Sequence, residues 1–71
     1  MSPVSQAVAR VSEREAEVLA ALGEHLSNAQ IAARLHLSVR TVETHVSSLL
    51  RKLDVPDRSA LAALAQGLVT A

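Results

Sequence analysis

Between Ser38 and Leu53 the chain reads SVRTVETHVSSLLRKL, and Val39, Val42, Val46, Leu49, Leu50 and Leu53 recur at the three-and-four spacing of one helix face. The same rhythm appears three more times. An earlier segment carries Ala16, Leu19 and Leu22 with Val18, and a short one carries Ile31, Ala32 and Leu35. A later one carries Leu61, Leu64, Ala65 and Leu68, surrounded by Ala60, Ala62 and Ala63. No stretch alternates with period two over a strand's length, and both prolines lie outside the periodic segments. The pattern predicts an all-α domain.

Start signals divide the pattern into helices. Ser12-Glu13-Arg14-Glu15 and Ser27-Asn28-Ala29-Gln30 match the capping box, in which a serine hydroxyl and a Glu or Gln side chain satisfy each other's free amides. Ser38 is a good N-cap for the third helix, and Asp57 after Pro56 offers a fourth. Helices are expected near 12–25, 27–36, 38–54 and 57–67, in a four-helix bundle-like domain. Only His36, Leu37 and Ser38 separate the second helix from the third, so the pair reads as a helix-turn-helix.

Composition narrows the picture. The 71 residues contain no Phe, Tyr or Trp, so the core is aliphatic and contributes only about 3–5 kcal/mol. A partner subunit or further chain is expected to add support. There is no Cys, which excludes disulfides and thiolate metal sites. No apolar run approaches the roughly 20 residues that span a bilayer, so a membrane partner is not expected and the cytoplasm is the expected compartment. Residues 1–10 lack the long apolar stretch of a signal peptide and read as a linker or lead-in, with the domain over 11–71. Seven basic and seven acidic residues cancel, which argues against nonspecific binding to polyanions. The charges are unevenly spread, however: Glu13, Glu15, Glu17 and Glu24 fall in the first third, and Arg40, Arg51, Lys52 and Arg58 in the second half.

The third helix has a second face. At about 100° per residue, Arg40, Thr44, Ser47 and Arg51 cluster within about 60°, opposite the apolar stripe. Thr41, His45 and Lys52 gather on the neighbouring flank. A helix entering the major groove needs a buried stripe behind it, small polar side chains in front and phosphate donors beside them. A solvated surface helix carries the same pattern, so spacing alone leaves both readings open.

The stretches VSEREAEVL, LSNAQIAARL, LSVRTVETHVSSLLRKLDV and DRSALAALAQGL, from about Val11 to Leu68, resemble the LuxR-type (GerE-like) helix-turn-helix domain of bacterial transcription regulators. The resemblance implies a DNA-binding domain of a transcription regulator, with the third helix in the major groove of double-stranded DNA. By position it implies base contacts from Glu43, Thr44 and Ser47, and phosphate contacts from Asn28, Thr41, His45 and Lys52. Arg40, Ser48 and Arg51 are candidates for additional DNA contacts. Glu15 and Arg58 match a pair that braces the first helix against the fourth. The fourth helix, through Leu61, Leu64, Ala65 and Leu68, matches the family's dimer contact, implying a homodimer. Full-length family members, response regulators among them, often carry a receiver or ligand-binding domain ahead of this one.

Two positions depart from the family pattern. Glu43 stands where the family commonly has Lys; a carboxylate there either accepts from cytosine N4 or pairs with Arg40 or Ser47. His25 stands where the family usually has Gly after the first helix, and Gly23, two residues earlier, offers a different end. Glu43 and the zero net charge support an alternative, a helical protein-interaction module that kept the fold but lost DNA binding. A sigma-factor reading shares the helix-turn-helix, but the match continues through the fourth helix.

No enzyme is expected. Glu13, Glu15 and Glu17 diverge on a helix and complement its dipole, and no base is placed to activate a serine. His25, His36 and His45 belong to different helices or their ends, so neither a metal nor a cofactor is expected.

Overall fold

Each of the four expected caps closes on its helix. A computed structural model of the chain describes residues 10–70, with side chains through Gly67. The expected lead-in, apart from Arg10, and the side chain of Leu68 lie outside the described residues. Helix α1 spans Glu13–Gly23, α2 Asn28–Leu35, α3 Val39–Lys52 and α4 Arg58–Thr70, and no strand occurs among the described residues. Ser12 and Glu15 form a complete capping box, as do Ser27 and Gln30. The Ser38 hydroxyl accepts from the Thr41 amide at 3.0 Å. Asp57 starts α4 by accepting from the Ala60 amide at 2.8 Å.

The ends of α1, α2 and α3 share one device. His25, His36 and Asp54 each adopt the left-handed conformation, with φ of 62°, 58° and 54°. The following residue turns its amide back to a carbonyl of the last turn: Leu26 to Ala21 at 3.4 Å, Leu37 to Ala32 at 2.9 Å and Val55 to Leu50 at 3.1 Å. This is the Schellman arrangement. Its accompanying apolar residue, Leu26, Leu37 or Val55, packs against the core in each case. The first helix therefore ends through His25 itself, in the place of the family's Gly. Gly23 serves another purpose: a Cβ there would meet the Ala65 Cβ at 3.1 Å, so its bare backbone lets α1 and α4 approach closely. The contact between these two helices is the most extensive in the fold.

Val18, Leu22, Ile31, Val42, Leu49 and Leu61 are the largest fully buried side chains, and all four helices contribute to this one core. Three expectations shift. Ala16 is exposed, and the buried position in the first turn of α1 is Glu15. Val39 lies outside the stripe of α3, at 44% exposed. On α4, Leu61 and Ala65 face the core of their own chain, so of the residues expected at a dimer contact only the half-buried Leu64 is left on the outer side among described side chains.

The strained helix ends yield a stability prediction. A side chain in the left-handed region costs about 1–2 kcal/mol that glycine avoids, offset in part by glycine's greater chain entropy. His36 is exposed and its side chain makes no hydrogen bond among the described residues. His36→Gly is expected to stabilise the fold by roughly 0.5–1 kcal/mol, and His36→Val, with its branched Cβ, to destabilise it by about 1 kcal/mol. Urea unfolding followed by circular dichroism checks this; the reverse ranking would contradict the assigned backbone.

Candidate nucleic-acid interface

Helix α3 forms because fourteen residues hold an apolar stripe behind a serine cap. Val42, Val46, Leu49 and Leu53 fix the buried side. The remaining side chains fall into two rows. Arg40, Glu43, Thr44, Ser47 and Arg51 are exposed, and Thr41, His45, Ser48 and Lys52 are half-buried along one edge. The expected outward face and flank are thus both present. Behind them, α2 meets α3 through the turn at His36, whose left-handed backbone swings the chain between the two helices.

The hydrogen bonds of these side chains divide them further. Thr41 Oγ1 lies 2.8 Å from the Ser38 hydroxyl. Thr44 Oγ1 donates to the Arg40 carbonyl one turn back, at 3.1 Å. Ser48 Oγ donates to Glu15 Oε2 at 2.7 Å, and Lys52 Nζ donates to Glu15 Oε1 at 2.7 Å and to the Arg10 carbonyl at 3.4 Å. Arg40, Glu43, His45, Ser47 and Arg51 make no side-chain hydrogen bond or ion pair among the described residues. Glu43 therefore pairs with neither Arg40 nor Ser47.

The partners of Glu15 differ from the expected brace between α1 and α4. Glu15 binds α3, and Arg58 binds the start of α2, donating to the Asn28 side-chain oxygen and to the Leu26 carbonyl at 2.7 Å. With its oxygen accepting from Arg58, Asn28 has both amide hydrogens without a partner among the described residues. Ser48, a candidate DNA contact, and Lys52, a candidate phosphate donor, both hold Glu15. That role escaped sequence reasoning: the residues lie 33 and 37 positions from Glu15, and Glu15 already had a local explanation as the capping-box partner of Ser12.

Glu15 is the buried charged residue of the described chain, with 7% of its side chain exposed. Burial alone would push its carboxyl up. Hydrogen bonds from the Lys52 ammonium, the Ser12 amide and the Ser48 hydroxyl, with the attraction of the Lys52 charge, reverse this and lower its pKa from an ordinary 4.5 to about 2.

Ion pairs also explain how a neutral chain presents a basic face. Glu15 takes Lys52, Glu17 takes Arg14 at 3.1 Å, and Glu24 takes Arg34 at 2.7 Å. Arg58 is spent on Asn28 and Leu26. The unpaired cations of α3 are Arg40 and Arg51, at either end of the exposed row, and Glu43 is the single acid on that helix. No cluster able to hold a metal ion occurs among the described residues, and no helix there is long and apolar enough to cross a membrane.

A polar-faced α3, joined by a tight turn to α2 and backed by α1 and α4, defines a helix-turn-helix domain. The chain belongs to the luxR family of bacterial regulatory proteins, whose model matches residues 9–65. It is similar to the response regulator protein VraR of Staphylococcus aureus, Staphylococcus saprophyticus and Staphylococcus epidermidis, in each case 45% identical over 49 residues. The matched stretch is 69% of this chain and 23% of each relative, so the chain spans about a quarter of the length of the curated relatives it matches.

The lowered Glu15 pKa gives a pH prediction. The folded value lies below the unfolded one, so the stabilisation is complete above pH 4.5 and is lost as pH falls from there toward about 2. The loss is on the order of 3 kcal/mol. Glu15→Gln should be less stable at pH 7 and decline less steeply between pH 5 and 2, as read by urea unfolding at several pH values. A decline as steep as that of the unaltered chain would show that the carboxylate contributes nothing.

Proposed function

We propose that this domain binds double-stranded DNA sequence-specifically as part of a bacterial transcription regulator, with α3 in the major groove. The observation that supports this best is the division of labour on α3. Thr41, Ser48 and Lys52 at the edge of the helix are tied into the protein, while Arg40, Glu43, Ser47 and Arg51 stand exposed and uncommitted on one row. A row of that kind, backed by a rigid apolar stripe, suits base readout at close approach.

In this reading Glu43, Thr44 and Ser47 face base edges. Arg40 and Arg51 supply charge at the two ends, and Thr41, His45 and the amide hydrogens of Asn28 reach phosphates along the flank. Lys52 adds its remaining donor capacity but chiefly ties α3 to α1 through Glu15. Few free cations make nonspecific affinity low and the salt dependence shallow. Pairing two domains restores affinity through effective concentration. The outer side of α4, with Leu64 half-buried and Ala63 exposed, is the surface proposed for a homodimer, and Leu68 extends it by sequence position. The relatives named as response regulators support a receiver domain ahead of this one in a longer, cytoplasmic protein. The domain itself performs no catalysis in this account.

Fluorescence anisotropy with labelled duplexes at several salt concentrations tests the assignment. Arg51→Ala is expected to weaken binding to every duplex alike and to reduce the salt slope by about 1. Ser47→Ala should alter the ranking of duplexes while leaving the slope unchanged. Equal losses on all duplexes for both variants would refute the division into backbone and base contacts, and salt-independent or absent binding would favour the protein-interaction module.

A further inference from the structure

The donors and acceptors on the outward row of α3 are unevenly distributed. Between Arg40 and Ser47 along the helix stand Glu43 and Thr44, both exposed. An ionised carboxylate has no hydrogen to donate. A threonine hydroxyl has one, and that of Thr44 is already directed to the Arg40 carbonyl at 3.1 Å. Toward a ligand, both residues can only accept. Donors lie to either side: the Arg40 and Arg51 guanidinium groups and the uncommitted Ser47 hydroxyl. Arg40 sits three residues before Glu43, a spacing at which helical ion pairs form, yet the two do not pair. The carboxylate is left for something outside the chain.

We infer that this acceptor-only pair selects cytosine, through its N4 amino group, at one fixed position of the DNA site. The inference rests on the proposed reading of α3 as the DNA-reading helix. In the major groove guanine presents two acceptors, N7 and O6, and thymine presents O4 with its methyl group; both repel a carboxylate. Adenine offers the N6 amino group but sets the N7 acceptor beside it. Cytosine presents N4 hydrogens with no acceptor of its own alongside. The same carboxylate is repelled by phosphates, so it weakens binding wherever the cytosine is missing. Glu43 thus discriminates twice, by accepting from the right base and by lowering affinity for every other site.

Selection from a pool of duplexes with a randomised centre, read by sequencing the bound fraction, tests this with the unaltered chain, Glu43→Gln and Thr44→Val. The unaltered chain should enrich a motif with a cytosine preferred about tenfold over the other bases at one position. Glu43→Gln should move that preference toward adenine, whose N6 and N7 match a carboxamide. Thr44→Val, which removes the second acceptor, should weaken the cytosine preference without redirecting it. Both substitutions lie on the exposed row, and circular dichroism verifies that the variants fold. A motif retained unchanged in Glu43→Gln, or a motif lacking the cytosine, would overturn the inference alone. Failure of the unaltered chain to enrich any motif would overturn the DNA-reading assignment of α3 and this inference with it.

Discussion

A single buried carboxylate ties α3 to α1 across the apolar core. Removing a charge from water costs several kcal/mol unless partners replace the lost hydration. Glu15 obtains those partners from two elements at once: the Ser12 amide at the start of α1, and Ser48 and Lys52 on the second half of α3. An aliphatic core sets the position of the helix through packing. Hydrogen bonds of 2.7 Å to both carboxylate oxygens add directional contacts to it. Rotating α3 by one residue, about 100°, would strand a buried anion. The ion pair thereby reinforces the outward row that the apolar stripe of α3 sets.

The neutral composition follows from the same economy of charge. Acidic side chains on α1 and in the turn after it engage cations that would otherwise crowd the surface, leaving two free arginines on α3 and one carboxylate between them. Such a face attracts a polyanion only weakly and gains affinity by matching particular groups on it. Arg58 plays a parallel part at the other end of the motif, joining the first turn of α4 to the entry of α2 through Asn28 and the Leu26 carbonyl. The helix-turn-helix is consequently held by polar ties from α1, from Glu24 in the turn after it and from α4, around the apolar core.

Local features were legible in the sequence because local chemistry produces them. Ser12, Ser27, Ser38 and Asp57 cap helices through contacts three residues long, and the exposed and half-buried rows of α3 follow directly from helical geometry. The position of Glu15 was not legible: a helical wheel assigns a glutamate to water, and the wheel rotated by one position when Ala16 was given the inward place. On α4, apolar residues surround the helix, so periodicity could not separate the side that packs at home, with Leu61 and Ala65, from the side left for a partner, with Leu64. The end of α1 at His25 depended on a left-handed conformation that histidine adopts at a cost, which propensity alone disfavours.

The most direct test of the account is an amide chemical-shift map of the chain during titration with a mixed-sequence DNA duplex. The account predicts the largest shifts along α3 from Arg40 to Arg51 and at the start of α2 around Asn28. Shifts that spare α3 and the start of α2, or none at any duplex concentration, would contradict it.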